Sequence, residues 1–207
     1  MGKIFGGAMH IWKGRKNMVS NNEKATAPAN SSGIPGMRGI EHIAITVPDL
    51  EEATAFFVDV LGCEVYYSIG PFKDPEGNWF GENLDVHPRA EIPEIRIVRC
   101  ANGAHFELLT FDAPDQNKRM PRFSDYDGHH VAFYVDDMDA AITYLKSKGV
   151  NVLGPIKEGI GPESGEGSTF VHFQSPWGSM FELVSFPHGR LYEQERMPMW
   201  VPGATPG

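Results

Sequence analysis

Four side chains able to hold a divalent cation stand at matching places in two copies of one pattern. Gly39 to Ala53 reads GIEHIAITVPDLEEA, and Gly128 to Ala141 reads GHHVAFYVDDMDAA. In each copy a His opens an alternating apolar stretch, and an Asp after it leads into helical spacing. Aligning the copies puts His130, rather than its neighbour His129, in register with His42, 88 positions earlier. Further along, HFELL and MFELV correspond, which pairs Glu107 with Glu182. Two imidazoles and two carboxylates make a mixed nitrogen and oxygen donor set suited to a borderline cation such as Zn, Ni, Co, Mn or Fe. Four protein ligands leave up to two positions on an octahedral ion for water or a chelating substrate. A lone His on a strand is more often structural, and an unpaired inward Glu is costly. Four such residues at repeat-equivalent positions point to a metal site instead.

These residues need elements to position them. From Ile40 to Val47, Ile43, Ile45 and Val47 alternate with His42, Ala44 and Thr46, so the strand has a bulky face for a helix and a small, polar face for a cavity. Asp49 caps the following helix, with Glu52 three residues on. Leu50, Ala53, Phe56, Phe57 and Val60 form its buried stripe, and Gly62 ends it. A strand over 63–69 follows, then a hairpin of 95–99 and 104–110 around Asn102-Gly103. In the second copy Val131, Phe133 and Val135 face a helix, while His130, Ala132 and Tyr134 face inward. Asp137 starts that helix, Met138, Ala141 and Leu145 form its stripe, and Gly149 ends it. A short strand at 150–153, a Gly-rich loop at 154–167 and a last hairpin, 168–174 and 179–186, complete the copy.

Each module is therefore strand, helix and three strands. The expected fold is α+β: two βαβββ modules, 39–112 and 128–186, joined by a polar connector at 113–127. If the two sheets curve toward each other, His42, Glu107, His130 and Glu182 converge. Residues 70–92 have no counterpart in the second copy. With Trp79 and Phe80 among their turn residues, they read as an ordered loop on the substrate side. Residues 1–38 read as a basic arm and 187–207 as an irregular tail.

The 207 residues carry a net charge of -9. The arm holds six Lys/Arg and one acid, and the rest twelve bases against twenty-six acids. An acidic body argues against general nucleic-acid binding, which needs a basic face. No apolar run approaches the ~18 residues of a membrane span. Cys63 and Cys100 lie in no CxxC and are too few for a disulfide framework, so free buried thiols in a reducing, cytoplasmic setting are the expectation and a single bridge the alternative.

HIAITVPDLEEATAFFVDVLG, HHVAFYVDDMDAAITYLKSKG and the paired FEL strands together resemble the vicinal oxygen chelate superfamily. That superfamily contains glyoxalase I, methylmalonyl-CoA epimerase, extradiol dioxygenases and the bleomycin- and fosfomycin-resistance proteins. The resemblance covers roughly residues 39–186. It implies paired βαβββ modules forming a cupped, barrel-like mixed sheet around one divalent metal ion. By family position the ligands are His42, Glu107, His130 and Glu182, in the order found in bacterial-type glyoxalase I.

The same resemblance implies a lyase or isomerase of glyoxalase I type, lactoylglutathione lyase-like. It would remove a proton next to a carbonyl and leave a metal-stabilised enediolate. Glu182 is then the first choice of base and Glu107 the second. The implied partner is a small-molecule substrate with adjacent oxygens, and the implied assembly a homodimer. An Fe(II) extradiol-type ring-cleaving dioxygenase is the alternative, with His42, His130 and Glu182 as its triad. Glu107 counts against it by filling a position oxygen needs. A non-catalytic binding or resistance protein is the second alternative, opposed by the intact quartet. No basic residue matches a glutathione-binding role. Arg96, Arg99, Lys118, Arg119 and Arg122 are candidates by location only, as are Trp79, Phe80, Tyr134 and Trp177 for the wall of an apolar pocket.

Overall fold

The computed structural model describes residues 34–37, 39–195 and 198–199. The chain divides into two units, 1–39 and 40–207. Of the first, only a turn is described, closed by Met37 N donating to Ile34 O. The expected basic arm otherwise lies outside the described residues, as does most of the end of the expected tail.

In the second unit the first module begins with β1 (His42–Thr46). The chain then turns into α1 (Leu50–Ala55), capped as its sequence predicts: Asp49 Oδ1 accepts from Glu52 N at 2.8 Å. This helix runs on into one π turn (Phe56–Val60), closed by Leu61 N donating to Phe56 O. That turn leaves Phe56 and Phe57 both buried in the core. β2 (Glu64–Ile69), β5 (Ile95–Arg99) and β6 (His105–Leu109) complete a sheet in the order β1-β6-β5-β2, with β1 and β6 parallel. The second module repeats the plan. β7 (His130–Tyr134) leads to α3 (Met138–Ser147), capped by Asp137, then β8 (Asn151–Glu158), β9 (Thr169–Gln174) and β10 (Met180–Ser185). Its order is β7-β10-β9-β8, with β7 and β10 parallel. The α+β architecture is therefore as expected, but the two four-stranded sheets stay separate and form no closed barrel.

A single main core joins the modules. Ile45, Phe106 and Leu108 of the first sheet and Phe173, Phe181 and Leu183 of the second share it with Phe57 and with Met138, Ile142 and Leu145 of α3. Phe57 contacts Phe106 at 4.9 Å and Phe181 at 6.0 Å between ring centroids, so the π turn that follows α1 touches both sheets. Such aromatic pairs add about 0.5–1.5 kcal/mol each beyond the area they bury.

Two segments depart from expectation. The insertion is not loop alone: β3 (Phe72–Lys73) pairs with β4 (Glu91–Ile92), and α2 (Trp79–Leu84) lies between them. Asp74 organises this segment by accepting from Gly77 N and Trp79 N, bonds that hold its carboxyl below the usual carboxylate range. Phe80, Ala90 and Ile92 then form a second small core with Ile95, Ile97 and Leu109. The strand expected at 150–153 continues through Gly154-Pro155 to Glu158. β8 is an edge strand, and the register shift between Leu153 and Lys157 is the bulge at which an edge tolerates Gly and Pro.

Cys63 and Cys100 form a disulfide, which corrects the expectation of free thiols. Antiparallel pairing puts Glu64 opposite Arg99, so the residues just beyond are opposite too, with Cα atoms 4.3 Å apart. Register decides this, and spacing along the chain does not reveal it. No helix among the described residues is long and apolar enough to cross a membrane.

Candidate metal centre

Parallel pairing of the first and last strands sets each His beside its Glu. β1 and β6 align Ala44 with Glu107, while β7 and β10 align Ala132 with Glu182. His42 Nε2 then lies 3.6 Å from Glu107 Oε2, and His130 Nε2 lies 3.0 Å from Glu182 Oε2. Phe106 and Leu108 flank Glu107, Phe181 and Leu183 flank Glu182, and all four point into the main core. Strand alternation puts both glutamates on the opposite faces, away from that core. The structure thus brings the four expected residues together as two pairs, one per sheet.

The two pairs differ in surroundings. His42 is half exposed, and its Nδ1 bonds Glu41 Oε2 at 2.5 Å. That carboxylate leaves Nε2 as the nitrogen facing Glu107, which is how an outer carboxylate orients a ligating imidazole. The bond to Glu41 raises the His42 pKa above its ordinary value against the opposing effect of desolvation, with Glu107 adding to the rise. His105 sits beside Glu41, 3.2 Å from its backbone oxygen, and its ring lies 6.3 Å from that of Tyr66.

Around His130 the donors are denser. Among the described residues, His130, His172 and Glu182 form the one group of three His, Cys, Asp or Glu side chains whose ligand atoms lie within 4.8 Å of one another. Sequence reasoning found no partner for His172. The signal was the register of the last hairpin, which puts His172 directly opposite Glu182. In the first sheet the residue opposite Glu107 is Ile97, so the internal repeat could not reveal it. His172 Nε2 is buried without a hydrogen-bond partner, 3.8 Å from Glu182 Oε1. A buried polar atom left over in this way, beside a carboxylate and a second imidazole, fits a divalent cation bound there.

Phe123, from the connector, stands beside the cluster with its own ring exposed. Its ring centroid is 5.0 Å from that of His130 and 6.0 Å from that of His172. Arg122 and Asp125 tie the connector at this point, and Gly128 packs so closely on it that a Cβ would meet backbone oxygens. The other expected pocket aromatics are elsewhere. Trp177 packs on Phe56 in the main core, Phe80 is in the small one with Trp79 against it, and Tyr134 contacts Phe186.

On the first sheet, Ile97 and Leu109 share the face of Glu107, and the insertion packs on them. This places the insertion beside the first pair. His129 bonds Asp127 O outside the cluster, as its position in the repeat implies. The arginines are engaged locally. Arg96 binds Glu51 and Glu94, Arg99 binds Tyr66, and Arg119 and Arg122 pair with Asp125.

Residues 41–173 match the family model described as the Glyoxalase/Bleomycin resistance protein/Dioxygenase superfamily, and the chain belongs to that superfamily. It is 41% identical over 165 residues to a 2-epi-5-epi-valiolone epimerase of Actinomyces sp., covering 79% of this chain and 87% of the relative. It is 28% identical over 161 residues to the mitochondrial methylmalonyl-CoA epimerase of Mus musculus, covering 74% and 76%. Among solved structures, a glyoxalase family protein from Bacillus cereus superposes with a TM-score of 0.54 at 19% identity, covering 74% of this chain and 98% of that one.

Proposed function

We propose that this chain is a metal-dependent epimerase that inverts a carbon next to a carbonyl, with an epi-valiolone ketone as the first substrate to test. The observation that carries this reading is the pair of His–Glu couples at repeat-equivalent positions, and the 41%-identical relative named as an epimerase supports it. Proton removal beside a carbonyl is the step shared with glyoxalase I type lyases. Epimerisation replaces the glyoxalase reading because two relatives are named as epimerases.

His42, Glu107, His130 and Glu182 are the proposed ligands, with one divalent ion per site. The cation, when bound, supplies Lewis-acid stabilisation of negative charge on the substrate oxygens. Glu182 takes the proton from the substrate carbon, and inversion requires return of a proton to the opposite face. Glu107, held by the other sheet, is proposed to deliver it as the carboxylic acid, and proton exchange with water then returns Glu182 to the carboxylate and Glu107 to the acid. Glu41 keeps His42 in one tautomer. Phe123 flanks the rings of His130 and His172.

Both couples lie on faces turned away from the core that joins the sheets, so we infer that two copies complete the site. The His42–Glu107 couple of one copy then meets the His130–Glu182 couple of the other in a homodimer. The test of function is incubation of purified, metal-loaded protein with 2-epi-5-epi-valiolone in deuterium oxide. Expected is solvent deuterium at the inverted carbon, following one-to-one metal loading per chain. Inversion by fully chelated protein, or loaded protein that neither exchanges nor inverts, overturns the proposal.

A further inference from the structure

We propose that His172 is a further ligand of this cation and that the second module is the half-site that captures it. This rests on the metal-dependent reading above and adds a residue that neither the internal repeat nor the resemblance assigns. His130 Nε2, His172 Nε2 and one Glu182 oxygen are gathered by two adjacent strands of one sheet, β9 and β10, and by β7 beside β10. A cation about 2.1 Å from each donor spaces neighbouring donors by roughly 3.0–3.4 Å. Glu182 Oε2 lies 3.0 Å from His130 Nε2 and Glu182 Oε1 lies 3.8 Å from His172 Nε2, and the three ligand atoms all lie within 4.8 Å of one another, so modest side-chain adjustments close the set.

The His172 ring is already oriented. It lies edge-on to His130 at 5.2 Å, with an interplanar angle of 81°, and Phe170 and Phe123 flank it at 5.9 and 6.0 Å. Its Nε2 is buried and accepts or donates no hydrogen bond, although a carboxylate oxygen stands just beyond reach. A nitrogen so placed is costly unless a cation uses its lone pair. The first sheet has no such provision, because Ile97 occupies the matching position. The modules are therefore unequal: three donors in the second hold the ion, and His42 and Glu107 of the first complete the site around it.

Cobalt(II) is the probe, added to the full chain after removal of all metal. Three measurements are made: the affinity by titration, the number of ions per chain, and the count of hyperfine-shifted imidazole N–H resonances. The wild type is expected to bind one ion and show three such resonances, from His42, His130 and His172. His172→Ala is expected to lose one resonance and at least about tenfold in affinity. His42→Gln/Glu107→Gln is expected to keep one bound ion. His172→Gln, close in size and hydrogen-bonding capacity, guards against a packing effect, and the wild-type count does not depend on any variant folding. Two resonances in the wild type, or unchanged affinity in both His172 variants, overturn the inference while leaving a metal site in place. A wild type that binds no cobalt overturns both this inference and the metal-dependent reading.

Discussion

Glu182 has the strongest individual case among the proposed catalytic side chains, because it touches two imidazoles from the neighbouring strands. Glu182→Gln keeps the shape and one ligating oxygen but removes the basicity. The expected outcome is a fall in kcat of about a hundredfold or more with most of the bound metal retained. Rates near wild type in a metal-loaded variant would remove Glu182 as the base. The pairing of His42 with Glu107 and of His130 with Glu182 was legible in the sequence because each residue stands at the same step of a repeated, alternating strand. His172 was not, because its partner is set by hairpin register and the repeat has Ile97 in its place. Glu41 was overlooked for a related reason. It precedes β1, and only the folded chain turns its carboxylate back to the His42 ring.

Among the elements, hairpins and helix caps were the most legible, since Asn102-Gly103, Asp49 and Asp137 act through contacts within a few residues. The disulfide joins the residue before β2 to the residue after β5, and local signals do not encode it. It closes a loop of 37 residues, so Cys63→Ser/Cys100→Ser is expected to lower stability by about 4 kcal/mol in the loop-entropy account. Urea unfolding with and without reductant measures this. A double variant that matches the oxidised wild type would show that the bridge contributes nothing.

A second brace joins α1 to the same sheet. Arg96 forks onto Glu51 at 2.8 and 3.1 Å, reaches Glu94 at 2.8 Å and donates to Thr54. The bonds from Arg96 lower the Glu51 pKa, and those from Ser68 and then Arg96 lower that of Glu94. A lowered carboxylate contributes stability that is present above its unfolded pKa of 4.5 and is lost as pH falls through the folded value. Arg96→Met should therefore reduce the loss of urea midpoint on acidification below about pH 4.5. An unchanged acid limb would show the cluster to be electrostatically idle.

At the scale of the whole molecule, the repeat predicted strand, helix and three strands in each module, and the resemblance implied that the two sheets cup around one ion, whereas the two sheets are not closed. The same alternation that puts Glu107 and Glu182 on strands also fills the intervening positions with Phe106, Leu108, Phe181 and Leu183. Those side chains fuse the two sheets and α1 into one core and turn the carboxylates outward. A converging quartet within one chain would need the sheets to face each other across the site. Here the faces they share are apolar. A shared site between copies makes a prediction that a self-contained one does not. One variant is disabled in the first module, His42→Gln/Glu107→Gln, and the other in the second, His130→Gln/Glu182→Gln. Each alone should be inactive. In a mixed dimer, the intact first module of one variant meets the intact second module of the other, so one site of the two is restored. After unfolding and refolding an equal mixture, about half the dimers are mixed, and activity should return to about a quarter of wild type. A mixture that stays inactive while light scattering shows mixed dimers would return the site to a single chain and end the shared-site proposal.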